Sequence, residues 1–346
     1  MARRRFSSRP TRRWWPKVLL AFVLLAGACA LAAYLWLGRP LPLAQDRVRV
    51  VIPEGTGARK AAQLWVAGGV QADPRLLALA LRFQEGWGGD GRLRAGGYEL
   101  RRGDSARRLA EKMMRGEQVL LRVRITEGWT FAAMRRALAK ADDLTHETAA
   151  WSDAELMDKL GAPGVPPEGQ FFPDTYSYTL GSSDWLIWKQ AYRAMQKRLD
   201  QAWTQRAPDS PLKSPEELLK LASIVEKETG HGPDRGKVAG VFINRLRKGM
   251  RLQTDPTVIY GMGEAYQGRI RRRDLDTDTP WNTYTRAGLP ATPIALPGQA
   301  SLDAAAKPDA TDALYFVARG NGESQFSASL DEHNQAVDRY IRGKKP

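Results

Sequence analysis

The chain has 346 residues, enough for one or two domains with a sizeable core, and its 43% hydrophobic content is ordinary for a folded protein. Its net charge of +15 could indicate a nucleic-acid partner, but seven of those charges lie in the first 17 residues, which leaves +8 for the rest. No nucleic-acid-binding motif accompanies these charges, so we predict no nucleic-acid partner. The single cysteine, Cys29, lies in an apolar segment, which excludes a disulfide within the rest of the chain.

That apolar segment has the length of a membrane span. Val18 to Leu37 contains no charged residue, and its length of roughly 30 Å in a helix matches the thickness of a bilayer core. Residues 1–17 carry basic residues and no acidic one, so the positive-inside rule predicts a cytoplasmic N-terminus. We predict a basic tail over 1–17 and a single-pass anchor over 18–37 in the cytoplasmic (inner) membrane. The remaining chain is then periplasmic or otherwise extracytoplasmic. A cleaved signal peptide is the alternative.

A small unit is predicted over residues 46–117. Arg47 to Ile52 alternates as a strand, two helices follow over Ala58 to Val66 and Pro74 to Phe83, and Ala95 to Leu100 forms a second strand. This strand–helix–helix–strand order resembles a LysM module, a glycan-binding unit. A small packing subdomain without affinity for sugar remains the alternative.

Residues 118–346 are predicted to form a larger mixed α/β domain, which places the exported chain in the α+β class. The predicted elements, in chain order, are a strand over Leu120 to Ile125, a helix over Phe131 to Lys140, an aromatic loop over Glu168 to Tyr176, a long helix over Trp185 to Trp203, a glutamate-bearing helix ending near Gly230, strands over Ala313 to Ala318 and Ser324 to Ala328, and a closing helix over Asp331 to Arg342.

The glutamate-bearing helix is predicted to carry a carboxylate on its buried face. Its apolar residues recur at helical spacing: Leu218, Leu221, Ala222 and Val225. Glu228 continues this face, whereas Glu226 points to the flank. Burial raises the pKa of a carboxyl group, which allows it to donate a proton near neutral pH. The alternative is that both are ordinary solvated glutamates near a helix end.

The surrounding motifs carry a family resemblance. They are Ala222-Ser223-Ile224-Val225-Glu226-Lys227-Glu228-Thr229, Glu168-Gly169 with Pro173-Asp174-Thr175-Tyr176, Gln253-Thr254-Asp255-Pro256, Trp281-Asn282-Thr283-Tyr284, Gly288-Leu289-Pro290, Pro297-Gly298 and Glu332-His333-Asn334. From about Leu120 to about Tyr340, the chain closely resembles the MltG (YceG-like) family of membrane-anchored endolytic murein transglycosylases. The family carries a LysM-like subdomain before its catalytic domain.

The resemblance implies a lyase that cleaves the MurNAc–GlcNAc bond within nascent peptidoglycan strands, leaves 1,6-anhydro-MurNAc ends and terminates strand elongation. Glu228 would protonate the leaving oxygen, and its carboxylate would then take the proton of the muramyl C6 hydroxyl. Penicillin-binding protein synthases are implied as partners. Two alternatives remain: a noncatalytic peptidoglycan-binding scaffold of the cell-wall synthesis machinery, and a muramidase that uses water with Glu226 or Asp255 as its second carboxylate.

Two polar groups of residues are candidate substrate contacts. Gln253 and Thr254, with Asp255, could bond sugar hydroxyls or the acetamido group, although a helix cap explains the same residues equally well. Asn282 and Tyr284 lie in the family's Tyr-Asn-Thr-Tyr motif, in which this chain has Trp281 in place of the first tyrosine. That replacement keeps an aromatic face for sugar stacking and loses a hydroxyl, which leaves the role of the position open.

Metal-ligand patterns are weak. The three histidines are far apart in sequence, and the run Asp274, Asp276 and Asp278 lacks the glycine and the closing glutamate of a calcium loop. We therefore predict no metal and no cofactor.

Overall fold

The computed structural model describes residues 14–87, 92–141 and 143–343. Most of the basic tail predicted over residues 1–17 lies outside the described residues. The chain divides into two compact units. The first unit holds the described residues up to Leu120 together with Thr179–Gly181, and the second unit holds Leu121–Tyr178 and the described residues from Ser182 onward. The predicted mixed α/β architecture is confirmed, whereas the domain limits 46–117 and 118–346 stay predictions.

The first unit begins with an apolar helix, α1 (Trp15–Gly38), whose side chains are almost all exposed. At 1.5 Å per residue, its 24 residues extend about 36 Å, enough to cross a bilayer core. A helix of this length and composition near the N-terminus fits a membrane anchor or a signal sequence.

The rest of the first unit is a two-stranded sheet covered by helices: β1 (Arg47–Ile52), α2 (Ala58–Ala67), α3 (Pro74–Trp87), β2 (Gly96–Arg101) and α4 (Ala106–Arg115). β1 and β2 are antiparallel, with Val48 opposite Leu100 and Val50 opposite Tyr98. These four side chains are buried, because alternate residues of a strand point to the same face. α4 begins after Ser105, whose hydroxyl caps the helix by accepting the Arg108 N–H at 3.2 Å.

The second unit is mainly helical, with short strands. Its elements are β3 (Leu120–Arg124), which starts at the last residue of the first unit, α5 (Phe131–Ala139), α6 (Asp153–Lys159), β4 (Thr175–Thr179), whose last residue belongs to the first unit, α7 (Asp184–Thr204), α8 (Pro215–Glu228), α9 (Arg235–Arg247), α10 (Asp255–Met262), α11 (Arg272–Asp276), α12 (Gln299–Ala306), β5 (Tyr315–Ala318), β6 (Ser324–Ser327) and α13 (Leu330–Tyr340). β3 pairs with β4, and β5 pairs antiparallel with β6.

Helix α8 lies at the centre of the larger core of the second unit and packs against α7, α9, α10 and α12. A second core lies beneath the aromatic loop, where Phe171 packs edge-on against Trp188 with ring centroids 4.9 Å apart. The aromatic residues at Phe171 and Phe172 therefore belong to the cores. The predicted loop also extends two residues too far, because strand β4 already starts at Thr175.

Candidate active site

Helix α8 is stabilised at its start and buried along one side. The Ser214 hydroxyl accepts the Glu217 N–H at 3.2 Å, and Pro215 occupies the first turn, where no hydrogen-bond donor is needed. Leu218, Leu221 and Val225 are fully buried. The helix ends at Glu228, after which Thr229 is extended. The buried stripe thus leads directly to a carboxyl group.

Glu228 is half-buried at the carboxyl end of α8, and its pKa is raised. Burial is the largest cause, and the negative charge of Asp255 adds to it. A hydrogen bond donated by the Thr254 hydroxyl to Oε1 of Glu228 and the positive charge of Arg245 act in the opposite direction without reversing the shift. The protonated form is therefore favoured, which suits a carboxylic acid that donates a proton near neutral pH.

Glu226 has different partners. Its Oε2 accepts the Gly298 N–H at 3.0 Å and the Ser301 hydroxyl at 2.7 Å. Gly298 is the N-cap of α12, so the Glu226 carboxylate satisfies one backbone donor and lies at the partial positive charge at the start of that helix. A side chain at Gly298 would collide with Glu127, because a Cβ there would lie 1.9 Å from Glu127 Oε1. Glu226 therefore joins α8 to α12.

Three threonines position the loop that faces Glu228. Thr254 donates its N–H to the Thr283 hydroxyl at 3.1 Å, and the hydroxyls of Thr257 and Thr283 lie 2.9 Å apart. Thr257 also donates to the Thr254 carbonyl at 2.7 Å. Because all three side chains are buried, the hydroxyl that contacts Glu228 is held in place by a closed hydrogen-bond network.

Gln253 precedes this network in a strained conformation. Its φ of +47° lies in the left-handed region, which residues other than glycine seldom adopt. Its N–H donates to the Thr283 carbonyl at 3.2 Å, and its side chain is exposed. Backbone strain of this kind persists only where the surroundings enforce it, and it is concentrated at functional sites.

Asp255 and Tyr284 form a second polar pair beside Glu228. The Tyr284 hydroxyl donates to Asp255 Oδ1 at 2.6 Å. Burial and the neighbouring Asp255 carboxylate both raise the pKa of Tyr284, so the phenol stays protonated and remains a donor. Asp255 is exposed and lies in the first turn of α10. The structure thus links Glu228, Thr254, Asp255 and Tyr284 in one arrangement.

Asn282 precedes Tyr284 by two residues and supports its backbone. Its side chain is buried, and its amide nitrogen donates to the carbonyls of Leu275 and Thr277 at 2.9 and 2.7 Å. Its Oδ1 accepts the Tyr284 N–H at 2.8 Å. The amide of Asn282 is thus occupied by backbone groups, and it orients the segment that carries Tyr284.

Trp281 is also occupied by neighbouring residues. Its indole N–H donates to the Thr292 hydroxyl at 2.8 Å, and its ring meets the Tyr260 ring edge-on at 5.4 Å between centroids. Trp281 is half-buried against the core that contains α8. Where the family's motif has a tyrosine hydroxyl, this chain has the indole N–H of Trp281, which is hydrogen-bonded to Thr292.

Arg245 received no role from the sequence. Its buried guanidinium donates to the carbonyls of Leu314 and Leu252 at 2.7 and 2.8 Å, which joins α9 to the segments before β5 and before Gln253. Its charge favours the ionised form of Glu228. Asp255 and Arg245 thus act on Glu228 with opposite charges, one raising and the other lowering its pKa.

Glu168 is a second buried carboxyl group. It is 6% exposed, its Oε1 accepts the Phe131 N–H at 2.9 Å, and its Oε2 accepts the Tyr260 hydroxyl at 3.0 Å. Burial raises the pKa of Glu168 to about 7, although hydrogen bonds from Phe131, Tyr260 and Gly169 oppose the shift. Tyr260 belongs to α10, the helix that begins with Asp255. Glu168 therefore connects the start of α5 to the helix that borders the site.

The last of the sequence motifs contributes His333. The His333 ring stacks on Tyr315 with centroids 5.2 Å apart, and burial lowers its pKa, with a further lowering from the charge of Arg245. Within the part of the chain that the structure describes, no cluster of three or more histidine, cysteine, aspartate or glutamate side chains could hold a metal ion.

Comparison with known proteins identifies the family. The model of the YceG-like family matches residues 50–339. The endolytic murein transglycosylase of Bacillus subtilis is 32% identical over 316 residues, which cover 86% of both chains. The protein of that name from Streptococcus pneumoniae is 27% identical over 334 residues, which cover 86% of this chain and 59% of the relative.

A solved structure agrees with the sequence comparisons. A crystal structure of a yceG-like protein from Listeria monocytogenes superposes with a TM-score of 0.54 at 29% identity, covering 84% of this chain and 98% of the other. The family predicted from the motifs around Glu228 is confirmed. The chain belongs to the YceG-like family.

Proposed function

We propose that the protein is an endolytic murein transglycosylase, a lyase that cuts the MurNAc–GlcNAc bond within peptidoglycan strands and leaves 1,6-anhydro-MurNAc ends. The observation that carries this proposal is the position of Glu228 at the end of the buried stripe of α8, where its half-buried carboxyl group accepts the Thr254 hydroxyl. The raised pKa of Glu228 agrees with this position. The names of the relatives support the same reaction and substrate.

One carboxyl group performs both proton transfers in this mechanism. Glu228 enters protonated and donates its proton to the glycosidic oxygen as the bond to the muramyl C1 breaks. The resulting carboxylate accepts the proton of the C6 hydroxyl as that oxygen attacks C1, which closes the anhydro ring and restores the acid. Asp255 favours the protonated state before the first step, and Arg245 limits the cost of the ionised state between the steps.

Substrate contacts are assigned to the exposed side of the site. A cavity of about 480 Å³ beside it is lined by Gln253, Tyr284, Arg251 and Arg272, among others. Gln253 and Tyr284 offer hydrogen bonds to sugar hydroxyls or acetamido groups. The two arginines suit the carboxylates that murein carries on its peptide stems. Asn282 acts indirectly in this proposal, since its amide holds the Tyr284 segment.

A muramidase that uses water is the second candidate function, and the position of Asp255 favours it. Asp255 lies close enough to Glu228 to influence its pKa, and it is exposed to solvent, as a carboxylate that activates water would be. Glu226 fits that role poorly because its Oε2 already accepts two hydrogen bonds at α12. The noncatalytic scaffold has no use for a desolvated acid.

Product analysis tests these candidates directly. The full-length protein in detergent micelles is incubated with long glycan strands, and the products are separated by size and identified by mass spectrometry. We expect rapid shortening of the strands with anhydro ends, and no such ends with Glu228→Gln. Strands with reducing ends would establish a muramidase, and strands that stay unchanged would establish a scaffold. Release of single disaccharides from strand ends would refute internal cleavage.

The cellular setting belongs to the same proposal. α1 is a retained single-pass anchor with a cytoplasmic N-terminus, and the catalytic unit acts on nascent strands outside the cytoplasmic membrane, where cleavage ends strand elongation. Penicillin-binding protein synthases are the expected partners, and the strand–helix–helix–strand part of the first unit is the expected LysM-like, glycan-binding segment. The length of α1, its apolar composition and the exposure of its side chains support its role as the anchor.

A further inference from the structure

Helix α3 is apolar on two opposite sides. Leu77, Ala78 and Leu81 are buried in the core of the first unit. On the other side, Leu76 is 51% exposed and Leu79 is 65% exposed. A helix that covers a water-facing domain normally presents charged or polar residues on its outer side. The outer side of α3 therefore has the composition of a surface that contacts apolar material.

Three residues at helical spacing form this outer side, which we call the α3 face: Leu76, Leu79 and Phe83. They are separated by three and four residues, so they lie in one row along the helix. Arg75 and Arg82 are exposed next to the row. An apolar row flanked by arginines is typical of helices that lie in the boundary between lipid tails and anionic headgroups.

The α3 face lies beside the end of the apolar helix α1. The last two turns of α1, residues 30–37, and the α3 face together line one open apolar crevice, with Arg39 at its edge. Both helices belong to the first unit. Because the two helices share this crevice, the outer residues of α3 lie beside the end of the apolar helix.

The position of α1 against this unit is fixed by contacts at its end. Leu37 is buried in the core that also holds Leu77, and the Leu41 N–H donates to the Asp104 carbonyl at 2.8 Å just before α4. The Arg107 guanidinium of α4 covers the Tyr34 ring at 4.5 Å. These contacts attach the unit to the helix directly, without a flexible tether between them.

From this geometry we propose that α3 lies in the outer surface of the bilayer, with the α3 face among the lipid tails and Arg39, Arg75 and Arg82 among the headgroup phosphates. The inference rests on the proposed retention of α1 as an anchor. It adds a second membrane contact, because the last eight residues of a span occupy roughly 12 Å of its depth, and a helix beside them is immersed as well. The first unit then has one fixed height and orientation relative to the membrane.

Depth-dependent fluorescence quenching tests this proposal on the full chain. Single cysteines are placed in a Cys29→Ser background at position 79, at position 25 within α1, and at position 63 on the polar outer side of α2, by Leu79→Cys, Leu25→Cys and Gln63→Cys. Each is labelled with bimane and reconstituted into vesicles of phosphatidylcholine and phosphatidylglycerol that contain lipids spin-labelled on the acyl chain.

We expect at least about half of the fluorescence to be lost at positions 25 and 79 and little at position 63. Absence of quenching at position 25 would overturn the anchor itself. Quenching at position 25 without quenching at position 79 would overturn only the α3 proposal. Phe83→Cys repeats the measurement, so that a local disturbance at one site does not decide it. Shielding of position 79 from water without lipid quenching, together with disulfide cross-linking between copies of the Leu79→Cys variant, would show a protein contact and refute the lipid assignment.

Discussion

Glu226 and Glu228 are separated by one residue, yet they have different partners in the structure, so a matched pair of substitutions tests the roles proposed for them. In Glu228→Gln the amide oxygen can still accept the Thr254 hydroxyl, but the group can neither donate nor accept the catalytic proton. We expect turnover to fall by about two to four orders of magnitude, the usual contribution of a general acid–base residue. Stability should stay the same or rise slightly, because a desolvated carboxyl group has been removed.

Glu226→Gln should give the reverse result. The amide oxygen can replace Oε2 as acceptor for Gly298 and Ser301, so the loss is that of the negative charge at the start of α12. Removing a charge from a helix N-terminus costs about 0.3 to 1 kcal/mol, with a similar contribution from the weaker, uncharged hydrogen bonds. We therefore expect stability to fall by about 1 kcal/mol, or roughly 2 to 4 °C in melting temperature, with turnover within about tenfold of wild type.

Both variants are assayed in the same detergent. Initial rates come from anhydro-ended products counted by mass spectrometry, and melting temperatures come from intrinsic tryptophan fluorescence. Glycan binding by pull-down serves as the control for folding, and we expect it to persist in both. Anhydro products from Glu228→Gln at near wild-type rate, combined with their loss in a stably folded Glu226→Gln, would reverse the roles assigned to the two residues.

Three further predictions concern charge, pH and topology. Asp255→Asn removes a negative neighbour that raises the pKa of Glu228, so the alkaline limb of kcat/KM should move to lower pH while products stay anhydro-ended; an unmoved limb would contradict the coupling. The folded-state pKa of Glu168 lies above the usual 4.5 at about 7, so the fold retains this proton and stability should decrease by about 3 kcal/mol as pH rises from about 4.5 to 7. Urea unfolding of Glu168→Gln should lack that component, and an unchanged pH dependence would refute its assignment to Glu168. A reporter enzyme fused after the last residue should be active only outside the cytoplasm, and cytoplasmic activity would refute the topology.

Local sequence patterns were sufficient to predict the apolar N-terminal helix and the helix that carries Glu228. α1 and α8 follow from uninterrupted apolarity and from helical periodicity, both of which depend on neighbouring residues alone. Other elements were missed although a signal was present. α6 begins with the capping box of Ser152 and Glu155, a pattern readable from the sequence, and α12 lies in an alanine-rich stretch after Gly298. Both are short, and short helices have weak periodicity.

The sequence by itself determined the family, the apolar N-terminal helix and the place of Glu228 at the end of a buried stripe, because each depends on residue types at short, fixed spacing. Only the tertiary structure decided what the neighbouring groups do. Glu226 meets its partners 72 and 75 residues away, and Glu168 meets Tyr260 at a separation of 92 residues. The amide nitrogen of Asn282, a predicted sugar contact, donates to the backbone carbonyls of Leu275 and Thr277. Hydrogen bonds and desolvation at such separations arise only when the chain is folded, and no local pattern encodes them.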